Sequence, residues 1–259
     1  MKKITRNLLS SFKTALYFLA IICLTAFSHP IIDKNQDQMK HNYEVLACDQ
    51  AMVINADWNK SIWKTTKSVK LENFMGDRPD HFPAVEMKMR YDKDNIYVIF
   101  KVEDTYVRAI AKETNGKVWE DSCVEFFFTP GPSTESGYFN LETNCIGTFL
   151  MEYHNQIAND DGFVSKNDNQ GIEIKSSLAP EYDNEHAGPL TWYLEYKLPH
   201  SILLNYLPYE QPGPGVKWRA NFYKCGDKTS HPHWLTWAPV DFPQPKFHLP
   251  EFFGWLEFK

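Results

Sequence analysis

A tryptophan and a carboxylate lie six residues apart at the start of a very apolar run, the segment from Trp119 to Phe128 (WEDSCVEFFF). Short runs rich in Val and Phe are typical of buried strands, so we expect Trp119 on the loop entering a strand and Glu125 on the strand itself. An indole face can pack against the C–H face of a sugar ring, while a carboxylate accepts hydrogen bonds from hydroxyl groups. The pattern predicts a surface suited to a sugar.

Paired carboxylates offer a second kind of chemistry. Glu125 and Glu142 lie on candidate neighbouring strands, and a glycoside hydrolase needs an acid and a nucleophile or base at a defined separation. The sequence contains no Gly-rich phosphate loop, nucleophile elbow or HExxH motif. Binding without catalysis is therefore the first hypothesis, and hydrolysis of O-glycosyl bonds by Glu125 and Glu142 is the alternative.

Metal and haem ligands are also present as residue types. His231 and His233 are two apart and could share an ion, but a proline separates them and no third ligand is evident, so exposed loop histidines are the favoured interpretation. Met87 and Met89 could hold haem, which gives a third hypothesis, a haem-binding electron-transfer domain. Their alternation with charged residues is typical of inward-facing strand positions.

The first 28 residues resemble a secretory signal. They contain four basic residues, no acidic residue and an apolar stretch from about Ala15 to Phe27 that is short for a membrane span. We expect cleavage after Ser28 and a secreted or periplasmic protein with no transmembrane span in the mature chain. Cys23 could carry a lipid anchor, but Ile22 before it is not the small residue such attachment requires, so anchoring at the surface is less favoured.

The charge argues against some partners. The formal net charge is −6, and losing the four basic residues of the first 28 would make it −10. An acidic surface disfavours nucleic acid and anionic membranes as partners. We expect residues 29–47 to form a flexible lead-in and residues 48–259 to form one domain.

Four cysteines remain in the predicted mature chain, namely Cys48, Cys123, Cys145 and Cys225. An even number permits two disulfides in an oxidising compartment, and the sequence cannot choose among the pairings. Buried free thiols or a single bridge are the simpler interpretation.

The strand pattern predicts an all-β fold. Residues 85–91 alternate between apolar and charged side chains, and a turn at 92–95 leads into a return strand at 96–102. Further candidate strands lie at 124–128, 138–142, 148–153, 172–176, 192–198, 218–224, 234–237 and 254–258. Only residues 199–206 suggest a helical turn. We predict an antiparallel β-sandwich of two packed sheets.

Aromatic residues make up 15% of the chain, and most must fill the core. Trp192 alternates with apolar residues and Trp255 lies in a terminal strand, so both are expected to be buried. Trp119 and Trp237 differ because each adjoins polar or proline-rich loop sequence. These two rings are therefore the candidates for a binding surface.

The Trp119–Phe126 string resembles the signature of family 9 carbohydrate-binding modules and their free-standing bacterial relatives. Residues 137–142 (GYFNLE), 234–239 (WLTWAP) and 251–256 (EFFGWL) agree with later segments of that family, and the resemblance runs from about Cys48 to Lys259. It implies a β-sandwich related to the DOMON-like domains that bind haem and sugars.

The resemblance also implies a site and a role. Trp119 and Trp237 would be the two faces of a sugar clamp, Glu125 its carboxylate, and Asn140 and Asn221 further ligands. The partner would be a polysaccharide or oligosaccharide, captured or catabolised by a polysaccharide-degrading bacterium.

Such modules require no cofactor but often hold structural calcium. Acidic side chains in loops could serve that purpose here, although their spacing matches no defined calcium loop. The candidates are Asp104, Asp160 and Asp161.

Overall fold

The computed structural model describes residues 41–180 and 182–259. The predicted signal segment 1–28 and residues 29–40 of the predicted lead-in lie outside the described residues. Within the described part of the chain, no helix has the length and apolar character needed to cross a membrane.

Strands dominate the described residues. They are β1 Asn42–Ala47, β2 Val69–Lys70, β3 Asn73–Phe74, β4 Ala84–Tyr91, β5 Asn95–Val107, β6 Cys123–Thr129, β7 Tyr138–Asn144, β8 Phe149–Asn155, β9 Asp160–Phe163, β10 Glu173–Ser176, β11 His186–Pro199, β12 Lys217–Cys225, β13 Trp234–Thr236 and β14 Gly254–Phe258. The short α-helices are α1 Ser61–Lys64, α2 Lys166–Asn169 and α3 His200–Leu203, and single 3₁₀ turns occupy Val118–Glu120, Thr134–Ser136 and Pro250–Phe252.

The strands form one curled sheet with the order β10-β11-β5-β4-β1-β14-β12-β6-β7-β8-β9. Strands β10, β11, β5 and β4 make a first layer, and strands β14, β12, β6, β7, β8 and β9 make a second layer that packs against it. The all-β sandwich predicted from the sequence is confirmed.

Strand β1 differs from the prediction in two ways. Residues 42–47, expected in a flexible lead-in, form a strand that pairs with β14 and then with β4. Both pairings are parallel, whereas the other strand pairs of the described residues are antiparallel. Tyr43 and Val45 are buried while their neighbours are exposed, and this short alternation among polar residues gave too weak a signal to indicate a strand.

Alternate residues of β6 lie in two different environments. Phe126 and Phe128 face the interior between the layers, and Phe126 stacks on Phe222 of β12 with ring centroids 5.0 Å apart. Phe100 of the first layer contacts Phe222 edge-on at 6.2 Å. Burying each Phe contributes about 1.5–3 kcal/mol, so this packing determines which face of β6 points into the core.

The opposite face of β6 carries Cys123, Glu125 and Phe127, and a second apolar cluster forms there. Residues Val240, Phe247, Leu249, Phe252 and Phe253, from the segment leading into β14, cover part of this outer face. The part left uncovered is where the candidate site lies.

On the outer face of the first layer, a buried carboxylate holds the loop before β2. Glu195 of β11 accepts hydrogen bonds from the backbone N–H groups of Asn55 and Ala56, both at 2.8 Å. It also accepts from Trp63 Nε1 at 2.8 Å and Lys60 Nζ at 2.5 Å. One side chain thus anchors residues 55–63 of this loop.

We expect Glu195→Gln to lower the free energy of unfolding by about 3 kcal/mol, because it leaves Lys60 without its buried partner. The matched control is Glu173→Gln, which breaks a partly exposed pair with Lys197 near the surface and should cost less than about 1 kcal/mol. Urea unfolding measures both. Equal losses would contradict the assigned role of Glu195.

A second polar contact joins the loop before β14 to the outer face of the second layer. His248 Nδ1 lies 2.9 Å from the Tyr138 hydroxyl, and its ring contacts Phe127 at 5.0 Å. Burial, with the nearby His154 and Lys246, lowers the pKa of His248 to about 4. The imidazole is therefore neutral in the folded protein at neutral pH.

This lowered pKa predicts acid sensitivity. Below about pH 6.5 His248 is protonated in the unfolded chain but stays neutral in the folded protein. The free energy of unfolding therefore falls as the pH drops from about 6.5 to about 4. We expect His248→Gln to remove about 2 kcal/mol of that loss, after allowance for partial solvent contact. Urea unfolding at pH 7 and 4.5 measures it, and exposed His186→Gln is the control. An unchanged pH dependence in His248→Gln would contradict the assignment.

Candidate functional site

A pocket of about 340 Å³ opens on the outer face of the second layer. This volume lies within the range of small-molecule sites. Strands β6, β7, β8 and β12 supply the floor, and loop residues supply the walls. The lining residues are Trp119, Glu125, Phe127, Glu142, Glu152, Cys225, Asp227, Trp234, Pro245, Lys246, Phe247 and His248.

Two half-buried indole rings line this pocket. Trp119 lies on the 3₁₀ turn before β6, and its carbonyl accepts a hydrogen bond from the backbone N–H of Asp227 at 3.3 Å. Trp234 begins β13 opposite Cys225 of β12, and its Nε1 donates to Asp227 Oδ1 at 2.7 Å. The loop after β12 therefore holds the backbone of Trp119 and the indole ring of Trp234, and each ring leaves part of its surface to solvent.

Trp237, predicted as the second face of the clamp, does not line the pocket. It is 6% exposed and belongs to the main core, where its ring contacts Phe222 at 5.6 Å. The reason is that consecutive residues along β13 point to opposite faces of the sheet. Leu235 and Trp237 face the core, whereas Trp234 projects from the other side of β13. The structure brings Trp119 together with Trp234 instead.

Two carboxyl groups lie side by side in the floor. Glu125 of β6 and Glu142 of β7 are direct neighbours in the antiparallel register, and both are almost fully buried. Burial raises the pKa of Glu142 to about 8, and burial with the adjacent Cys225 and Glu142 raises the pKa of Glu125 well above its ordinary value. Both groups are therefore protonated at neutral pH, and a protonated carboxyl can donate one hydrogen bond and accept others.

Asn140 supports the floor. Its Nδ2 donates to Glu142 Oε1 and to Glu152 Oε2, each at 3.0 Å, and its Oδ1 lies 3.0 Å from His154 Nε2. Asn140 is fully buried and does not line the pocket. It positions two pocket carboxyl groups.

Asn221, the other predicted ligand, holds a loop. Its Nδ2 donates to the Ala238 carbonyl at 3.0 Å, and its Oδ1 accepts from the Ala238 N–H at 2.8 Å. The side chain is fully buried and does not line the pocket. It fixes the chain just after Trp237.

Several lining residues were missed from the sequence. Glu152 faces the pocket because it lies opposite Asn140 across β7 and β8, and this pairing is not visible in the sequence. Asp227, Lys246 and His248 come from loops that only the fold brings near β6. Only Trp234 could have been found from the sequence, because it precedes Leu235 in a strand and consecutive strand residues point to opposite faces.

The residues considered as metal or haem ligands are hydrogen-bonded to other residues or buried in the core. His233 is buried, with Nε2 2.6 Å from Lys224 Nζ and Nδ1 2.9 Å from the His231 carbonyl. His233 is therefore not the exposed loop histidine that the sequence suggested. Met87 and Met89 are fully buried in the core.

The acidic residues considered for calcium have protein partners. Asp104 is buried and contacts His81 Nε2 at 2.6 Å and Lys224 Nζ at 3.6 Å, so a lysine ammonium already provides its cationic neighbour. Asp160 accepts from the Tyr153 hydroxyl, and Asp161 is exposed near His154.

All four cysteines of the predicted mature chain are free thiols in this structure. Cys123 and Cys225 are direct neighbours across β6 and β12. The Cys225 thiol lies 3.0 Å from Glu125 Oε1, and burial raises its pKa well above the ordinary value.

Comparison with known proteins agrees with the fold. The family model for carbohydrate-binding family 9 matches residues 50–258. A crystal structure from Bacteroides uniformis, described as a candidate carbohydrate-binding protein, superposes with a TM-score of 0.75 at 31% identity, covering 84% of this chain and 99% of that one. No curated protein matches the sequence.

Two more distant structures share the fold. They are a family 9 carbohydrate-binding module of Caldicellulosiruptor kristjanssonii with cellotriose (TM-score 0.55, 15% identity, 84% of this chain and 93% of that one) and with glucose (TM-score 0.52, 14% identity, 83% and 95%). Because the family model spans most of the sequence, the chain belongs to carbohydrate-binding family 9.

Proposed function

We propose that this chain is an exported, non-catalytic protein that binds a sugar unit of a polysaccharide or oligosaccharide in the pocket between Trp119 and Trp234. The observation that carries the proposal is the meeting of two half-buried indole rings with several carboxyl groups in one pocket. Ring faces provide apolar contact for the C–H surface of a sugar, and the polar groups provide hydrogen bonds to its hydroxyl groups.

Both tryptophans are held by Asp227. Trp119 is held through its backbone and Trp234 through its indole N–H. The hydrogen-bonded Trp234 ring loses little conformational freedom when a sugar enters, so more of its contact energy appears as affinity.

The charge of the pocket favours neutral sugars. Glu125 and Glu142 are protonated there, and the two remaining acidic residues of the lining, Glu152 and Asp227, face one cationic residue, Lys246. A uronic acid would bring another carboxylate into this acidic surrounding, and like charges at short range cost energy. Neutral hexose or pentose polymers therefore fit the pocket better than acidic polymers.

The state of the paired carboxyl groups argues for binding without hydrolysis. A glycoside hydrolase needs one ionised carboxylate as nucleophile or base. The raised pKa values of Glu125 and Glu142 keep both protonated at neutral pH. The family resemblance and the signal-like first 28 residues support export and a role in capturing glycans for catabolism.

Substitution of either ring tests the proposal. In affinity electrophoresis through gels containing neutral polysaccharides, we expect Trp119→Ala and Trp234→Ala each to weaken retention about tenfold or more, equivalent to 1.4 kcal/mol, because each removes one stacking face. Trp255→Ala is the matched control, since Trp255 is also half-buried but stacks on Arg219 away from the pocket.

Near-ultraviolet circular dichroism verifies that each variant is folded. If folded Trp119→Ala and Trp234→Ala are retained like the unmodified protein on every neutral polysaccharide that retains it, the pocket is not the binding site.

Hydrolysis is tested on the same polysaccharides. We expect the purified chain to release no reducing sugar from any of them at neutral pH. Release that disappears in Glu125→Gln would contradict the non-catalytic role and identify Glu125 as a catalytic acid or nucleophile.

A further inference from the structure

Two residues of the pocket floor, Glu125 and Cys225, lie beside the fully buried Cys123, and together the three carry the donor atoms of a transition-metal site. Cys123 and Cys225 face each other across β6 and β12, and Glu125 follows two residues later on the same face of β6. The two sulfur atoms and one carboxylate oxygen all lie within 4.8 Å of one another. Strand pairing alone brings them together, so the group is formed by the rigid part of the fold.

These atoms suit a zinc ion in type and in distance. Zinc binds cysteine sulfur at about 2.3 Å and carboxylate oxygen at about 2.0–2.2 Å, which separates the ligands of a tetrahedral site by roughly 3.5–3.8 Å. The observed separations, 3.0 Å between the Cys225 sulfur and Glu125 Oε1 and at most 4.8 Å for the other pairs, bracket those values. Two thiolates favour zinc over calcium or magnesium, which prefer oxygen ligands.

An independent observation points to a missing partner at this place. Glu125 Oε2 is buried and has no hydrogen-bond partner, although Oε1 of the same carboxyl lies 3.0 Å from the Cys225 thiol. A buried polar atom without a partner is costly. A cation held by both sulfur atoms would satisfy this oxygen.

The surroundings also allow a cation to enter. Glu125 and Cys225 line the open pocket, so an ion can reach them from solvent. Two thiolates and one carboxylate around a divalent ion leave one negative charge. The buried Lys224 ammonium already pairs with Asp104, so this charge is left to solvent in the open pocket.

We infer that Cys123, Cys225 and Glu125 bind a thiolate-preferring divalent cation, best matched by zinc, with the fourth coordination position open to the pocket. On binding, the Cys123 and Cys225 thiols and the Glu125 carboxyl each release one proton to solvent as their bonds to the metal form. No electrons are transferred. A water molecule or a sugar hydroxyl from the pocket completes the coordination. This inference rests on the three ligand residues and does not depend on the proposed sugar binding.

Cobalt(II) titration tests the site directly. The full chain is purified with a thiol reductant, freed of metal with a chelator and titrated with Co²⁺ after removal of both reagents. We expect one equivalent to produce a thiolate-to-cobalt charge-transfer band in the near ultraviolet, and one equivalent of Zn²⁺ to abolish it. Cys123→Ser, Cys225→Ser and Glu125→Gln should each weaken the apparent affinity by at least about tenfold.

Cys145→Ser is the matched control, because Cys145 is another buried free thiol but lies away from the pocket. It should leave the band unchanged. Near-ultraviolet circular dichroism verifies folding, and Glu125→Gln serves if the cysteine variants do not fold. No band in the reduced, folded protein, or an equal band in all of the folded ligand variants, would overturn the inference.

Polysaccharide retention is measured on the same metal-free and zinc-loaded samples. Retention without a cobalt band contradicts only the metal site. A cobalt band without retention on any polysaccharide supports the metal site and contradicts only the proposed function.

Discussion

The register of β6 against β12 and β7 is the constraint on which the site depends. Phe126 and Phe128 pack into the core from one face of β6, and this leaves Glu125 no position except the outer face. A slip of one residue would exchange the two faces and bury the carboxyl among aromatic rings. The same register places Glu142 beside Glu125, and Cys225 beside Cys123.

The polar groups beneath the surface act mainly as supports. Asn140 orients Glu142 and Glu152, whereas Asn221 fixes the chain at Ala238. Asp227 joins the Trp119 backbone and the Trp234 indole to one loop. The pocket therefore has a rigid floor, and its walls are loops attached at defined points, as expected for a protein that recognises the shape of a sugar ring.

Much of the fold followed from local sequence patterns. Alternation identified β4 and β11, and the apolar run identified β6, because these strands bury one or both faces in the core. Strand β1 was missed because only Tyr43 and Val45 carry its signal. Strand β1 pairs with both β14 and β4 and so joins the two layers. These partners are distant in sequence, so no local pattern shows the pairing.

Only the site residues that lie in one continuous segment of the chain could be predicted from the sequence. Trp119 and Glu125 belong to one segment, and the structure brings both into the pocket. Choosing between Trp234 and Trp237 required the parity of β13, since both lie near loop sequence. Glu152, Asp227 and His248 depend on strand pairing and loop packing across long separations, which no local pattern encodes.

A crystal structure of the chain with a bound neutral oligosaccharide tests the central claim most directly. The account predicts one sugar ring within about 4 Å of both the Trp119 and Trp234 rings, the contact distance of packed apolar groups, with hydroxyl groups directed at the pocket carboxyl groups. A sugar bound elsewhere on the molecule, with the Trp119–Trp234 pocket empty, would contradict it.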